Sequence, residues 1–125
     1  MNKQRMNELA DAFEVRIRDE QVDLSVYMSG VKMPPDVTAL DVLDLVPSPE
    51  QASCGTEGCV AGWAVALFGS REEIRQNWSW RCVPWYAQHL LDLEDGDAEY
   101  LFWNWPSGQQ TRAHVVERLR RMADE

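Results

Sequence analysis

The stretch from Cys59 to Phe68 constrains the fold most, because it is apolar on almost every side of a helix. A helical projection gives one stripe of Val60, Trp63, Ala64, Leu67 and Phe68, with Ala61, Val65 and Ala66 covering much of the remainder. A helix that is apolar all round belongs in the interior of a domain. Gly69 ends the segment, so the sequence predicts a short, buried, central helix at about residues 59–68.

The N-terminal segment has the one-sided apolar pattern of a surface helix. Apolar residues recur there at a spacing near 3.6: Met6, Leu9, Ala10, Phe13 and Ile17. This periodicity predicts an amphipathic helix that ends near Gln21. On its polar face, Glu14 and Arg18 have the i,i+4 spacing of a weak ion pair.

Start signals divide the chain after the central helix into further short helices. Ser70 and Glu73 form a capping box, which predicts a helix start at that point. Pro84 suits the first turn of a following helix. The acidic run 94–97 favours the N-terminal end of another helix, because negative charge complements the helix dipole there.

Two threonines mark the starts of additional helices. Thr38 precedes a two-turn segment that runs to Val46, and Thr111 precedes the C-terminal helix. The C-terminal helix is predicted to turn four arginines toward solvent: Arg112, Arg118, Arg120 and Arg121. The length and pattern predict one mainly α domain over residues 1–125. Its fold class is an irregular bundle of five or six short helices around a central buried helix (about 59–68), with little or no β structure.

Composition limits the classes of partner. The 125 residues include 12 Lys and Arg against 21 Asp and Glu, a formal net charge of −9, which disfavours nucleic-acid binding and suits a basic protein partner. The longest apolar stretch, Val60 to Phe68, is far shorter than the ~20 residues of a membrane span. The odd count of three cysteines argues against a disulfide framework, and no secretion signal is recognisable, so we expect a cytoplasmic protein.

Cys54 and Cys59 flank a turn before the central helix, and the favoured interpretation of both is structural. Cysteine packs as a small apolar residue, and Gly55 and Gly58 allow a tight turn into the helix. A disulfide or redox pair between the two cysteines is an alternative, although the spacing is not C-x-x-C.

A metal site is a second interpretation of the same cysteines. Cys54 and Cys59 could be joined by Cys82 and by His89 or His114 in a chemically allowed zinc ligand set. The C-x4-C spacing differs from the usual C-x2-C knuckle, and the other three ligands stand singly in the sequence. No metal or other cofactor is therefore predicted.

A thiol nucleophile with a histidine base is the third interpretation. The run from Gln51 to Trp63 loosely resembles the active-site segment of papain-like cysteine proteases, in which a glutamine precedes a cysteine at a helix start. A helix N-terminus stabilises a thiolate at Cys54 or Cys59, and His89 or His114 would serve as the base. Those proteases carry the histidine on a sheet, which this sequence does not predict.

Six tryptophans are many for 125 residues, and five of them lie between Trp78 and Trp105. A core built on large rings is the favoured interpretation, because each ring buries about 150–250 Å². The functional alternative is a partner-binding surface at Trp78, Trp80, Arg81 and Trp105, since tryptophan and arginine are preferred as interface anchors.

The order of these motifs resembles that of a known family. The pattern is Cys54-Gly-Thr-x-x-Cys59-x-Ala-Gly-Trp63-Ala, then Ala87-x-x-Leu90-Leu91, Ala98-x-x-Leu101-Phe102 and Trp105-Pro106. Along nearly the whole chain it resembles a family of small uncharacterised proteins encoded by actinobacteria and their bacteriophages. That family has no assigned activity, so the resemblance implies a setting without a mechanism.

The charge, the tryptophans and the lack of a complete catalytic set favour a binding protein over an enzyme. The expected function is a non-enzymatic, phage-derived protein that acts on a host or self protein, expected to be basic, through an acidic and aromatic surface. A homodimer is an alternative, in which the arginines of the last helix contact acidic residues of another copy. The alternative function is a small cysteine- or metal-dependent enzyme centred on Cys54 and Cys59. Neither nucleic acid nor membrane is an expected partner.

Overall fold

Six α-helices account for most of what the computed structural model describes, which is residues 1–19, 22, 28–29, 43, 57–77, 82–106 and 108–125. The helices are α1 (Lys3–Asp11), α2 (Val60–Phe68), α3 (Arg71–Gln76), α4 (Val83–Leu91), α5 (Asp95–Phe102) and α6 (Arg112–Asp124). The two-residue strands β1 (Met28–Ser29) and β2 (Glu57–Gly58) pair antiparallel, with Met28 opposite Gly58. The predicted bundle of short helices with little β structure is confirmed.

The predicted central helix is α2. Its residues from Val60 to Ala66 are buried, and Trp63 has no exposed surface. Helix α2 packs mainly on α4 and also contacts α1 and α5. Because neighbours cover it on several sides, its sequence has no polar face.

The N-terminal helix is shorter than the sequence predicts. The five apolar residues of its periodic pattern are all fully buried, as expected. However, α1 ends at Asp11, a π-helical turn (Ala12–Arg16) follows, and Ile17 is extended, with φ −88° and ψ 126°. Since the chain leaves the helix at Ile17, Arg18 does not share a helical face with Glu14. The Glu14 carboxylate instead pairs with Arg120 at 2.8 Å.

Helix α6 packs along α1 and the π-helical turn, and three of its arginines pair with carboxylates of the same chain. The nitrogen–oxygen distances are 2.9 Å for Arg112 with Asp19, 2.6 Å for Arg120 with Asp11, and 2.9 Å for Arg121 with Glu117. Exposed pairs of this kind contribute about 0–1 kcal/mol each. Their main consequence is that these arginines are engaged within the chain.

Arg118 does not face solvent, and that prediction is wrong. Its exposed fraction is 6 %, and its guanidinium carbon lies 3.7 Å from the ring centroid of Trp105 and 4.0 Å from that of Tyr100. Its Nη1 donates to the carbonyl oxygens of Tyr100 at 2.8 Å and Asn104 at 2.6 Å. The residue lies three positions after buried Val115, on the inward side of α6. Aromatic faces and carbonyl dipoles stabilise the charge there.

The predicted helix starts after the central helix are confirmed. Ser70 and Thr111 accept hydrogen bonds from the backbone amides of Glu73 and His114, and Pro84 lies in the first turn of α4. The acidic run 94–97 begins α5. The predicted helix from Thr38 to Val46 lies outside the described residues apart from Leu43. Within the described ranges, each helix is too short or too polar to span a membrane.

Candidate functional site

Four of the candidate site residues named from the sequence lie outside the part of the chain that the structure describes. They are Cys54, Trp78, Trp80 and Arg81. Their predicted roles, as a nucleophile or metal ligand for Cys54 and as partner contacts for the other three, stay predictions. The remaining candidates, Cys59, Cys82, His89, His114 and Trp105, all have defined positions.

Cys59 is the N-cap residue of α2 and is almost fully buried, with 3 % exposure. Its Sγ accepts a hydrogen bond from the backbone amide of Gly62 at 3.4 Å. The thiol therefore satisfies one of the amides that a helix start leaves without an intrahelical partner. This geometry favours the structural interpretation of Cys59.

The two histidines contact residues other than cysteine. His114 Nδ1 lies 2.6 Å from the Thr111 hydroxyl at the start of α6. His89 Nε2 lies 3.7 Å from the Glu73 carboxylate on α3. Cys82 is exposed at the start of α4. Across the described ranges, no group of three or more histidine, cysteine, aspartate or glutamate residues is arranged to hold a metal ion.

Tyr86 joins α3 to α4 through its hydroxyl group. The hydroxyl accepts a hydrogen bond from the Ser70 amide at 2.8 Å and donates one to the Glu73 carboxylate at 2.6 Å. Glu73 thus does not complete the predicted capping box by bonding back to the Ser70 amide. Burial, and then the hydrogen bond to Glu73, raise the pKa of Tyr86 well above its ordinary value.

Replacing Tyr86 by phenylalanine is expected to lower the free energy of unfolding at pH 7 by about 1.5 kcal/mol, because two hydrogen bonds are lost. The raised pKa keeps the folded phenol neutral while the unfolded phenol ionises near pH 10. The contribution of Tyr86 is therefore complete below about pH 10 and is lost as pH rises above that value. Urea unfolding of both proteins at pH 7 and pH 10.5 measures this difference.

Tyr100→Phe is the matched control, since its hydroxyl makes no hydrogen bond within the described residues. It should change stability by less than about 0.5 kcal/mol at pH 7. A gap between wild type and Tyr86→Phe that stays constant or widens above pH 10 would contradict the assignment.

The described tryptophans divide into buried and exposed rings. Trp105 is only 8 % exposed, and its indole nitrogen donates to the Leu101 carbonyl at 2.7 Å. It is therefore a core ring, as the favoured interpretation of the tryptophans expects, and does not offer the exposed partner-binding surface given as the alternative for Trp105. Trp85 and Trp103 are instead the exposed rings among the described tryptophans, at 61 % and 54 %. Sequence reasoning missed these two.

Trp85 and Trp103 line one open groove of about 860 Å³ on the surface of α4 and α5. On α4 the lining positions 85, 88 and 89 follow the i, i+3, i+4 spacing of a single helical face, and 92 directly follows the helix. On α5 the positions 95, 98 and 99 do the same, and 103 lies one turn beyond 99. The full lining is Trp85, Gln88, His89, Asp92, Leu93, Asp95, Ala98, Glu99 and Trp103.

A short turn fixes the two helices of the groove together. Asp92 ends α4 in the left-handed conformation, with φ 52°, and its amide bonds to the His89 carbonyl at 3.1 Å. The Gln88 side-chain amide donates to the Leu93 carbonyl at 3.1 Å and to the Asp95 carboxylate at 2.8 Å. Because Gln88, Leu93 and Asp95 all line the groove, these hydrogen bonds hold its two walls together.

The groove carries negative charge. Its lining contains the carboxylates of Asp92, Asp95 and Glu99 and neither lysine nor arginine. Asp95 accepts the Gln88 bond, and Asp92 lies 3.5 Å from the amino group of Met1. The Glu99 carboxylate has no hydrogen bond or ion pair within the described part of the chain. Its charge is thus the most available to a ligand.

Glu99 and Trp103 stand between two hollows. Besides this groove, they line a second hollow of about 440 Å³ together with Gly96, Tyr100 and Asn104. Trp103 directly follows α5, and its backbone amide donates to the Glu99 carbonyl at 3.1 Å, so the two residues are neighbours at this end of the helix. A bound group can therefore contact the ring and the carboxylate together.

Comparison of the chain with protein-family models, curated proteins and solved structures gave no match. The resemblance to actinobacterial and phage proteins therefore stays a prediction from the sequence motif. The geometry and charge of the groove, together with the composition of the chain, are the observations on which a functional proposal can rest.

Proposed function

We propose that this protein is a non-enzymatic binding protein that engages a basic protein partner through the groove between α4 and α5. The observation that carries the proposal is the pair of exposed tryptophans in a groove whose charged residues are acidic. Exposed large apolar rings cluster at interaction sites, and truncating a buried interface tryptophan commonly costs 2 kcal/mol or more of binding energy. The net charge of −9 adds long-range attraction for a basic partner.

A different protein suits the groove better than a second copy that docks through the arginines of its last helix. The homodimer alternative needs available arginines on α6, but Arg112, Arg120 and Arg121 pair with carboxylates of their own chain. Arg118 is buried against Trp105. A dimer through these groups would break existing pairs, whereas a separate basic partner would not.

The setting of the proposal comes from the sequence. Resemblance to actinobacterial and phage proteins favours a phage-derived protein that acts on a host protein in the cytoplasm. Trp78, Trp80 and Arg81, which precede α4 in the sequence, would extend the contact surface. Identification of the captured partner tests these parts of the proposal.

Affinity capture followed by direct binding tests the proposal. Immobilised protein is used to capture partners from an actinobacterial lysate, and each captured protein is purified and titrated by calorimetry. The double variant Trp85→Ala/Trp103→Ala should weaken the binding of the partner by at least about tenfold, because both exposed rings are removed.

Val15→Ala is the control, since Val15 is 79 % exposed on the π-helical turn and does not line the groove. It should bind like wild type. A supporting partner binds the double variant more weakly than wild type and binds Val15→Ala as tightly as wild type. If no captured protein behaves in this way, the proposal is wrong.

A further inference from the structure

We infer that the groove selects arginine over lysine in its partner, with Glu99 and Trp103 as the primary contact. This inference rests on the proposed function and goes further by naming the side chain that is recognised. The ligand is an arginine-bearing segment of another protein. Nucleic acid is disfavoured as an alternative, because the carboxylates of the groove repel phosphate.

The position of Glu99 and Trp103 supports a combined contact. The Trp103 backbone amide donates to the Glu99 carbonyl at 3.1 Å, and both residues line the same two hollows. Trp103 is 54 % exposed, and the Glu99 carboxylate has no polar partner within the described ranges. Because the pair borders both hollows, a side chain can reach it from either side of α5. One cation can then lie against the indole and bond the carboxylate.

Guanidinium fits this pair better than ammonium does. It is planar, stacks on aromatic faces and presents a fork of N–H donors that matches a carboxylate. Ammonium is a compact and strongly hydrated charge, so removing its water is more costly. Arginine should therefore gain from the ring and the carboxylate at once, whereas lysine gains mainly from the charge.

The same region of the protein already contains an arginine on tryptophan. The Arg118 guanidinium carbon lies 3.7 Å from the ring centroid of Trp105, two residues after Trp103, and also contacts Tyr100. There, backbone carbonyls accept the N–H groups. At Trp103 a carboxylate one turn away is the acceptor available to an incoming guanidinium.

Two model peptides test the selection directly. Each is an end-capped, nine-residue glycine–serine peptide with three arginines or with three lysines at the same positions, titrated by calorimetry at low salt. The arginine peptide is expected to bind about fivefold tighter than the lysine peptide, as for a cation–π contact added to an ion pair. Glu99→Gln and Trp103→Ala should each weaken arginine-peptide binding by about fivefold or more, and Trp103→Ala should abolish the preference.

Glu94→Gln is the matched control, because it removes the same charge from a residue that lines neither hollow. It should leave the preference unchanged. Equal affinities for the two peptides, both lowered by Trp103→Ala, would overturn arginine selection and leave the binding groove standing. The inference would also be overturned if neither peptide binds, or if Glu99→Gln and Trp103→Ala do not weaken peptide binding. The proposed function would then be tested separately, with the captured partner.

Discussion

Replacing Trp63 by alanine is expected to lower the free energy of unfolding by about 4 kcal/mol, the typical cost of removing a fully buried tryptophan. Trp63 has no exposed surface and lies in the middle of α2, which packs on α4, α1 and α5. The cavity would therefore open between several helices rather than at one contact. Since small domains are stable by only about 5–15 kcal/mol, this loss removes a large share of the total. Urea unfolding followed by circular dichroism measures it.

Trp103→Ala is the matched control for Trp63→Ala, because it removes the same ring from a site with 54 % exposure. Its cost should be below about 1 kcal/mol. If Trp63→Ala does not fold, Trp63→Phe serves instead, and an intermediate loss is expected from the smaller cavity. Similar losses at positions 63 and 103 would contradict a central position of α2.

The central helix and the short helices around it are predictable because their signals are local. The apolar surface of residues 60–66 requires burial wherever the segment lies in the fold. Likewise Ser70, Pro84 and Thr111 act on their own helix starts, and each is found at a helix start in the structure. Such signals hold without knowledge of the tertiary arrangement.

The end of the N-terminal helix depends on tertiary contacts, which explains why its prediction is wrong. Periodicity places Phe13 and Ile17 inside, and both are buried. Nothing in the spacing shows that the chain widens into a π-helical turn before Ile17. Helix α6 packs against this turn, and its Arg120 bonds to Glu14, which lies 106 residues away in sequence.

The candidate site is only partly predictable for the same reason. A helical projection of α4 puts Trp85 opposite the buried residues Ala87, Leu90 and Leu91, so its exposure could have been derived. The exposure of Trp103 and the burial of Trp105 could not, because both follow the end of α5. Trp105 is buried since Arg118 of α6 covers its ring. The acidic and aromatic character was predictable, but its location was not.

Replacing Arg118 by methionine is expected to lower the free energy of unfolding by about 3 kcal/mol, because hydrogen bonds to a charged donor and the cation–π contacts are lost together. Methionine has a similar length but cannot donate, so the carbonyls of Tyr100 and Asn104 lose the bonds they now accept. Those bonds tie α6 to the end of α5. The loss should therefore be accompanied by greater exposure of Trp105, which tryptophan fluorescence quenching by acrylamide would detect.

Two further substitutions separate the role of Arg118 from a general effect of charge. Arg118→Lys keeps the charge but loses the planar fork, so an intermediate destabilisation is expected. Arg121→Met removes the same positive charge from a side chain that is 60 % exposed and, within the described residues, pairs with Glu117 alone, and it should cost less than about 1 kcal/mol. If Arg118 holds α6 against the Trp105 ring, Arg121→Met should be the most stable of the three variants, Arg118→Lys should be intermediate and Arg118→Met should be the least stable. If Arg118→Met is as stable as Arg121→Met, the buried guanidinium contributes no net stability and α6 is held by its apolar face alone.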